Sequence, residues 1–511
     1  MKSQLSTHAL GDTHDLVVIG AGMAGLTAAT LAAKSGAKPL VLEQNWLPGG
    51  CSSTYPRKHY QFESGATTLV GLDEGMPLRF LLDELNLDFD PVKLELPMEV
   101  KWADGVSIRR FQDLTSWIAE AERVFGPSNQ KAFWTFCYRI SQQVWKTSSR
   151  QRAFPPSSIQ DLLFAARQFR PIQLGGIGLA YLSVWDVLKW YGLDQNDRFV
   201  SFVEEQLMIT AQNKSKEVNI LFGAAALCYT LYGNYYVRGG MIGLINLLVD
   251  DLKSRGGDIA LRTSVTAITP QQNGYSIDTN GGQIRAKRII SALPLNDTLE
   301  LWQAPKLEAK WRKRLMQSDQ LNGAFSLGFV CKRREVPASL HHQIHLDQPL
   351  PEIGAHSIFL SFSHPDDPLR CGPDEWVCSV STHVADPDHR RIEDSEAIVE
   401  AIFQALDHHG LVPREDVTFW HSSTPGSWYK WTKRAFGFVG GYPQFMNIKP
   451  WQMADARFDG KGVYLCGDSV YPGQGIPGAA LSGIIAWQKM KLDRHFADMT
   501  PVASSANIQM S

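Results

Sequence analysis

The chain has no run of one charge, no paired cysteines and no apolar stretch with the make-up of a membrane span, and each absence removes a class of function. Its 50 basic and 52 acidic residues leave a formal charge of −2 over 511 residues, without a basic tail or an acidic run, so the electrostatic footprint of a nucleic-acid binder is missing. Seven scattered cysteines, of which only Cys371 and Cys378 stand close together, form no disulfide or metal-binding framework and fit a reducing compartment. The first 14 residues are polar and neither Arg-rich nor built around an apolar core, so no secretory signal or transit segment is expected there. Residues 218–237 carry no charge over 20 positions, the length of a membrane-crossing helix. They also contain Asn219, Asn234, Gly223 and Gly233 and end in Tyr232-Gly-Asn-Tyr-Tyr236, which reads as a buried segment lining an apolar pocket.

What is present begins at residues 15–51. Asp-Leu-Val-Val-Ile is an apolar strand; Gly20-Ala-Gly22-Met-Ala-Gly25 is a tight turn into a helix of small residues; Pro39-Leu-Val-Leu is a second strand that ends in Glu43. Gly20 permits the turn, Gly22 lets backbone approach a pyrophosphate, and Gly25, with Ala28 and Ala29, lets helix pack against strand. The helix start points unpaired N–H groups and a positive dipole end at phosphates. Glu43, 23 residues after Gly20, is placed to accept hydrogen bonds from ribose hydroxyls. The segment closes on Pro48-Gly49-Gly50.

Beyond it, Phe62-Glu-Ser-Gly-Ala-Thr-Thr68 suits either a loop lying against a flat cofactor ring or an ordinary surface turn. Residues 77–87 have helical periodicity, and 91–106 read as short strands around Asp104-Gly105. A helical insertion spans 113–215. Within it Arg150, Arg152, Arg167 and Arg170 interleave with Phe154, Leu162, Leu163 and Phe164, and the stretch runs on through Ile172, Gln173 and Trp185 to Trp190. That pattern suits a helix on a bilayer surface and equally a solvated amphipathic cap. After Arg238-Gly-Gly-Met241 the pattern predicts a helix over 244–253, a strand pair at 258–261 and 264–268, and strands at 275–279 and 284–292. Strands are expected near 325–330, 357–362 and 376–383, and a helix over 395–406. At the far end Val-Tyr-Leu-Cys-Gly467-Asp468 is a strand and an acidic turn. Gly473-Gln-Gly475-Ile476-Pro477-Gly478 then opens a helix whose N-terminus suits the charge a flavin gains on reduction. Asp468 is read as holding the ribityl or pyrophosphate part, or as capping that helix. No acid–base dyad stands out, and no catalytic residue is assigned.

Both ends together resemble the flavin-containing amine oxidase and phytoene desaturase superfamily: Gly20-x-Gly-x-x-Gly25, Glu43, Gly49-Gly50, Arg238-Gly-Gly-Met241, Ser264-Val265 and Gly467-Asp468. The likeness spans nearly the whole chain and is weakest at 300–430. Residues 472–483 and 62–68 are similar to the carotenoid branch, nearest to carotenoid 3,4-desaturases and carotenoid isomerases. The resemblance implies that Gly20, Gly22, Gly25, Glu43, Val265 and Asp468 contact FAD, with Met23, Ala24, Gly49, Gly50, Gly467, Gly475 and Ile476 completing the candidate cofactor set. One departure is Cys51, where many members have Arg after the glycine pair, which removes a phosphate contact.

The implied fold is α/β: a Rossmann-type FAD-binding domain from 14–70, 237–296 and 455–495, with a discontinuous α+β substrate domain from 71–236 and 297–454. The helical insertion is expected to face a membrane, with the protein peripherally attached on the cytoplasmic side. The implied activity is desaturation of a carotenoid or other polyene, of C-3,4 type, with electrons leaving to oxygen or a quinone. Carotenoid cis–trans isomerisation and amine oxidation are the alternatives, and a non-catalytic flavin scaffold is the reading from another class.

Overall fold

The computed structural model describes residues 3–5, 12–168 and 174–496. Strand β1 (Thr13–Ile19) lies in the middle of a sheet covered on both faces, and its apolar run Leu16–Val17–Val18–Ile19 is buried as that position requires. Helix α1 (Met23–Lys34) is rich in Ala and Thr and buried on nearly every side. It sits between the sheet and the helix Ile476–Leu492, close enough that a Cβ on Gly483 would come within 2.5 Å of the Ala24 carbonyl oxygen. Small residues on both helices are what permit that approach. Strand β2 (Pro39–Leu42) pairs in parallel with β1.

The first sheet has seven strands, in the order Asp258–Ala260, β2, β1, Gly282–Ser291, Gly274–Thr279 and Val265–Gln271, with Val463–Leu465 pairing beside Gly282–Ser291. The expected pair at 258–261 and 264–268 is not a pair. Asp258–Ala260 extends the free edge of β2, and Val265–Gln271 joins Gly274–Thr279 at the other end of the order. The connection is claimed by β2's end: Thr263 N–H donates to the Glu43 carbonyl at 2.8 Å and Arg262 N–H to that of Asn45 at 2.9 Å, with Arg262 at a left-handed φ of 55°.

The second sheet, also of seven strands, runs Val417–Ser423, Asn322–Lys332, Glu375–Ala385, Ser357–Phe362, His341–His345, Met98–Trp102 and Ser107–Arg110. Its pairings are antiparallel except for His341–His345 on Met98–Trp102. The helix expected at 395–406 is Ser395–His408, started by the Asp394 side chain on the Ala397 N–H. The insertion is helical as read, from Leu114–Phe125 to Asp197–Ala211. The uncharged 218–237 stretch breaks into a helix (Ile220–Leu227), a tight turn (Tyr229–Leu231) and a strand (Asn234–Tyr236). Among the described residues no helix is long and apolar enough to cross a membrane. In the arginine-aromatic stretch Ile159, Leu162, Leu163, Ile177, Tyr181 and Trp190 are all exposed, whereas Arg170, Ile172 and Gln173 lie outside the described residues.

Candidate active site

A cavity of about 790 Å³ runs between the two sheets, and the two ends of the chain meet along one side of it. The turn after β1 builds the first wall. Gly20, at φ 96°, donates its N–H to the Leu42 carbonyl at 2.8 Å, and its own carbonyl faces Gly25, where a Cβ would come within 2.1 Å. Gly25 therefore stands behind the wall and serves helix–strand packing. At Gly22 a Cβ would find nothing within 4 Å, so the backbone is bare to the cavity. Gly49 donates to the Ala21 carbonyl at 2.8 Å and holds the Gly49–Gly50 turn against this loop. Helix α1 begins here with no side-chain cap, which leaves its first N–H groups to an anion.

Glu43 closes that side. Its two oxygens accept the N–H groups of Ala21 and Asn45, each at 2.9 Å. Burial pushes its carboxyl up, against the pull of those bonds. Met23, Ala24, Val265, Gly467, Asp468, Gly475 and Ile476 share the lining with it. Gly467 is pinned by Ser482, whose hydroxyl accepts its N–H at 2.7 Å. The helix Ile476–Leu492 also starts bare at the cavity, with Gly475 as N-cap and no side-chain cap. Asp468 does not cap it; the carboxylate is held by Arg434.

Arg434 is the residue that sequence patterning missed. Its Nη2 donates to both oxygens of Asp468, at 2.8 and 2.9 Å, and its Nη1 lies 3.6 Å from the Cys51 sulfur. Asp297 stands nearby, one oxygen accepting the Ala435 N–H at 2.7 Å and the other without a partner. Burial, against the pull of that bond and of Arg434, pushes the Asp297 carboxyl up to about 7. The one available signal was the basic-aromatic run Trp428-Tyr-Lys-Trp-Thr-Lys-Arg434. The loop Gly65-Ala66-Thr67-Thr68 lines the cavity, so of its two sequence readings the cofactor-facing one fits its place.

Farther in, the lining becomes apolar on the insertion side: Val144, Trp145, Ile209, Phe222, Ala225 and Ala226. Opposite them runs a row of directly facing residues across four strands of the second sheet, Ser326, Ser381, Phe359 and Gln343. His383 lies in the same wall, 2.9 Å from the Gln212 amide nitrogen, and burial pulls its ring down to about 4, so it is neutral at pH 7. Among the described residues no cluster of His, Cys, Asp or Glu is arranged to hold a metal ion. Bare helix starts, an uncapped glycine turn and a buried acid fit a dinucleotide at one end, and the apolar walls fit a lipid-like molecule at the other.

Residues 23–490 match the family described as flavin containing amine oxidoreductase. The chain is 24% identical over an alignment of 526 positions to prolycopene isomerase 2, chloroplastic, of an Oncidium hybrid cultivar, covering 98% of this chain and 87% of that one. It is 27% identical over 303 residues to all-trans-retinol 13,14-reductase of Danio rerio, covering 56% and 48% respectively. An oxidoreductase from Methanosarcina mazei has the same fold, with a TM-score of 0.62 at 18% identity over 93% of this chain and 100% of that one.

Proposed function

The chain belongs to the flavin-containing amine oxidoreductase family and is an FAD-dependent enzyme, and we propose that its substrate is a carotenoid or similar polyene that it isomerises from cis to trans. The observation that carries this reading is the graded cavity: glycine turns and helix starts at one end, apolar insertion residues and uncharged segment 218–237 at the other. The relatives matched along nearly the full chain are isomerases of a polyene, which favours isomerisation over desaturation. Bound FAD supplies two-electron transfer at its ring. The chain's own part is to hold the diphosphate end with Gly22, the two helix starts and Asp468–Arg434, to exclude water, and to align an extended chain along the Ser326-to-Gln343 row.

Desaturation is the second reading, favoured by the oxidoreductase chemistry of the family; His383 is not its proton acceptor, since its Nε2 already accepts the Gln212 amide and burial lowers its ring. Cis- and trans-carotenoids incubated with the reduced enzyme without oxygen separate the two. Isomerisation moves the absorption bands at unchanged mass, and desaturation removes two hydrogens and needs an acceptor such as oxygen or a quinone. Peroxide formation from amines with no effect on any polyene would sink both. The domain division expected above is part of the proposal, 14–70, 237–296 and 455–495 taking FAD and the remainder the polyene.

Attachment to a membrane surface belongs to the same reading, since a water-insoluble substrate must reach the cavity from lipid. Exposed Ile159, Leu162 and Leu163 on one helix, with Ile177 and Tyr181 just after it, are the proposed contact. Flotation with liposomes checks it: wild type should rise with the vesicles and a Leu162→Ser/Leu163→Ser variant should stay down.

A further inference from the structure

Gln343 ends the cavity row. Its cross-strand neighbour on the cavity side, Phe359, is in the lining, whereas its neighbour on the far side, Val100, is buried in the core under the helical insertion. Its side chain is one link in a chain of polar groups that starts at a buried charge. Arg110 is fully buried and covered by the rings of Trp117, Phe202 and Trp134, at 4.4, 5.2 and 5.6 Å. Burial pulls its guanidinium down to about 10, so it is charged at neutral pH. Its hydrogen-bond acceptors are neutral: Gln206 Oε1 at 2.7 Å, the Leu227 carbonyl at 2.5 Å and Thr230 Oγ1 at 2.8 Å.

A guanidinium can only donate, and this decides the orientation of every amide that follows. Gln206 must present its oxygen to Arg110 and hence its NH₂ to the other side, where Gln343 Oε1 accepts it and Met98 sulfur lies at 3.7 Å. Gln343, a residue of the cavity wall, therefore has its oxygen engaged and its NH₂ left over, buried and without an acceptor. The two amide dipoles point the same way, so the positive charge of Arg110 is carried forward to that N–H group. The Tyr229 hydroxyl, on another residue of the wall, donates to the same Met98 sulfur at 4.0 Å. An unmet buried donor is costly, and one polarised by a cation most of all.

We infer that the ligand this site is built for is a polyene with an oxygen acceptor at its inner end, a hydroxyl, carbonyl or carboxylate oxygen, and that Gln343 is the residue that recognises it. The inference rests on the polyene reading of the cavity and adds to it the polar end that Gln343 selects. A pure hydrocarbon chain leaves the Gln343 donor unmet, and an oxygenated one satisfies it.

The test uses the FAD-loaded full chain and three polyenes of equal length ending in a methyl group, an alcohol and a carboxylate, with binding read from quenching of flavin fluorescence. Wild type should bind the alcohol and the carboxylate about tenfold more tightly than the hydrocarbon. Gln343→Leu should bring the three within about twofold while holding its flavin. The wild-type series decides by itself if that variant does not fold. Hydrocarbon binding as tight as that of the oxygenated chains overturns the inference and leaves the polyene reading standing. Failure of all three to bind overturns the polyene reading, and the inference with it.

Discussion

Arg434 reaches Asp468 through a single nitrogen, Nη2, which lies 2.8 Å from one carboxylate oxygen and 2.9 Å from the other. The rest of the guanidinium is not used up by the pair. Nη1 faces only the Cys51 sulfur at 3.6 Å, and Nε has no acceptor although it is buried. Of the two cationic residues in the cavity wall among the described residues, Lys433 and Arg434, this is the one beside the Gly49–Gly50 turn that Cys51 follows. The cation that the turn itself lacks thus arrives from 383 residues away.

That relationship predicts a transferable role. Arg434→Ala should weaken FAD binding by about 2 kcal/mol, roughly thirtyfold in Kd, because charge-assisted bonds to phosphate are lost. Adding Cys51→Arg to Arg434→Ala should recover most of it, since the new guanidinium starts from the neighbouring backbone. Titration of apoprotein with FAD reads both values, and a double variant as weak as the single one argues that Arg434 serves only to hold Asp468.

The two glycines that begin and end α1's first turn should fail in opposite ways. Gly22 has an ordinary extended backbone, φ −73° and ψ 175°, and open space where a Cβ would go, so Gly22→Ala should change apoprotein stability by less than about 0.5 kcal/mol. It places a methyl group in the space before the helix start, and FAD affinity should fall at least tenfold, about 1.4 kcal/mol. Gly25→Ala drives a methyl group to 2.1 Å from the Gly20 carbonyl and 2.9 Å from the Ala292 Cβ, so the chain should lose stability by about 3 kcal/mol or more before cofactor is added. Melting curves without FAD beside FAD titrations separate the two; equal stability losses would contradict the assignment.

Asp297 gives the site a pH signature. Its carboxyl titrates near 7 in the folded chain, against an ordinary value of 3.8, so between these values the folded state holds a proton that the unfolded state has lost. The group's contribution is complete at low pH and declines as pH rises from about 4 to 7, after which it stays as a constant penalty. Asp297→Asn keeps the oxygen that accepts the Ala435 N–H and removes the charge. Above pH 7 it should be more stable than wild type by about 4 kcal/mol, and below pH 4 the two should coincide. Denaturation midpoints across that range decide, and parallel curves would mean that Asp297 does not titrate near 7.

The glycine turns, β1, α1, β2 and three strands of the second sheet were legible because each is written in local periodicity: Ser357–Phe362 has the predicted bounds, and Asn322–Lys332 and Glu375–Ala385 contain theirs, whereas His341–His345 and Val417–Ser423 were not expected. Which strand an element joins was not. The short strand at 258 reads like half of a hairpin, and only the unclaimed edge of β2 takes it elsewhere. Arg434, Gln343 and Arg110 were illegible for the same reason. Each is an unremarked polar residue in its own segment and acquires meaning from partners 34 to 383 positions distant.

The last relationship of this kind ties the helical insertion to the helix Ile476–Leu492 that packs on α1. Lys489, on the helix Ile476–Leu492, and Asp161, on Ile159–Gln168, are both without solvent exposure. Arg457 links them to the same helix's end, donating from Nη2 to Asp161 at 2.9 Å and to Asp493 at 2.9 Å, while Lys489 bonds Asp455 and the Pro155 carbonyl. Burial raises the Asp161 carboxyl less than Arg457 and Lys489 lower it, so it remains ionised to below its ordinary value. Such a group supports the fold above the unfolded value and loses that support as pH falls through the folded one. Asp161→Ala leaves two cations with an incomplete set of partners, one of them fully buried, and should cost about 3 to 5 kcal/mol. Asp161→Leu with Lys489→Met removes charge from both sides and should recover much of that loss, as buried ion pairs replaced by apolar residues commonly do. Urea melts of the three proteins at pH 7 test it. If Asp161→Ala melts with the wild type, the pair is idle; if the double variant is no better than the single, the helices are held by Arg457 and Asp493 alone.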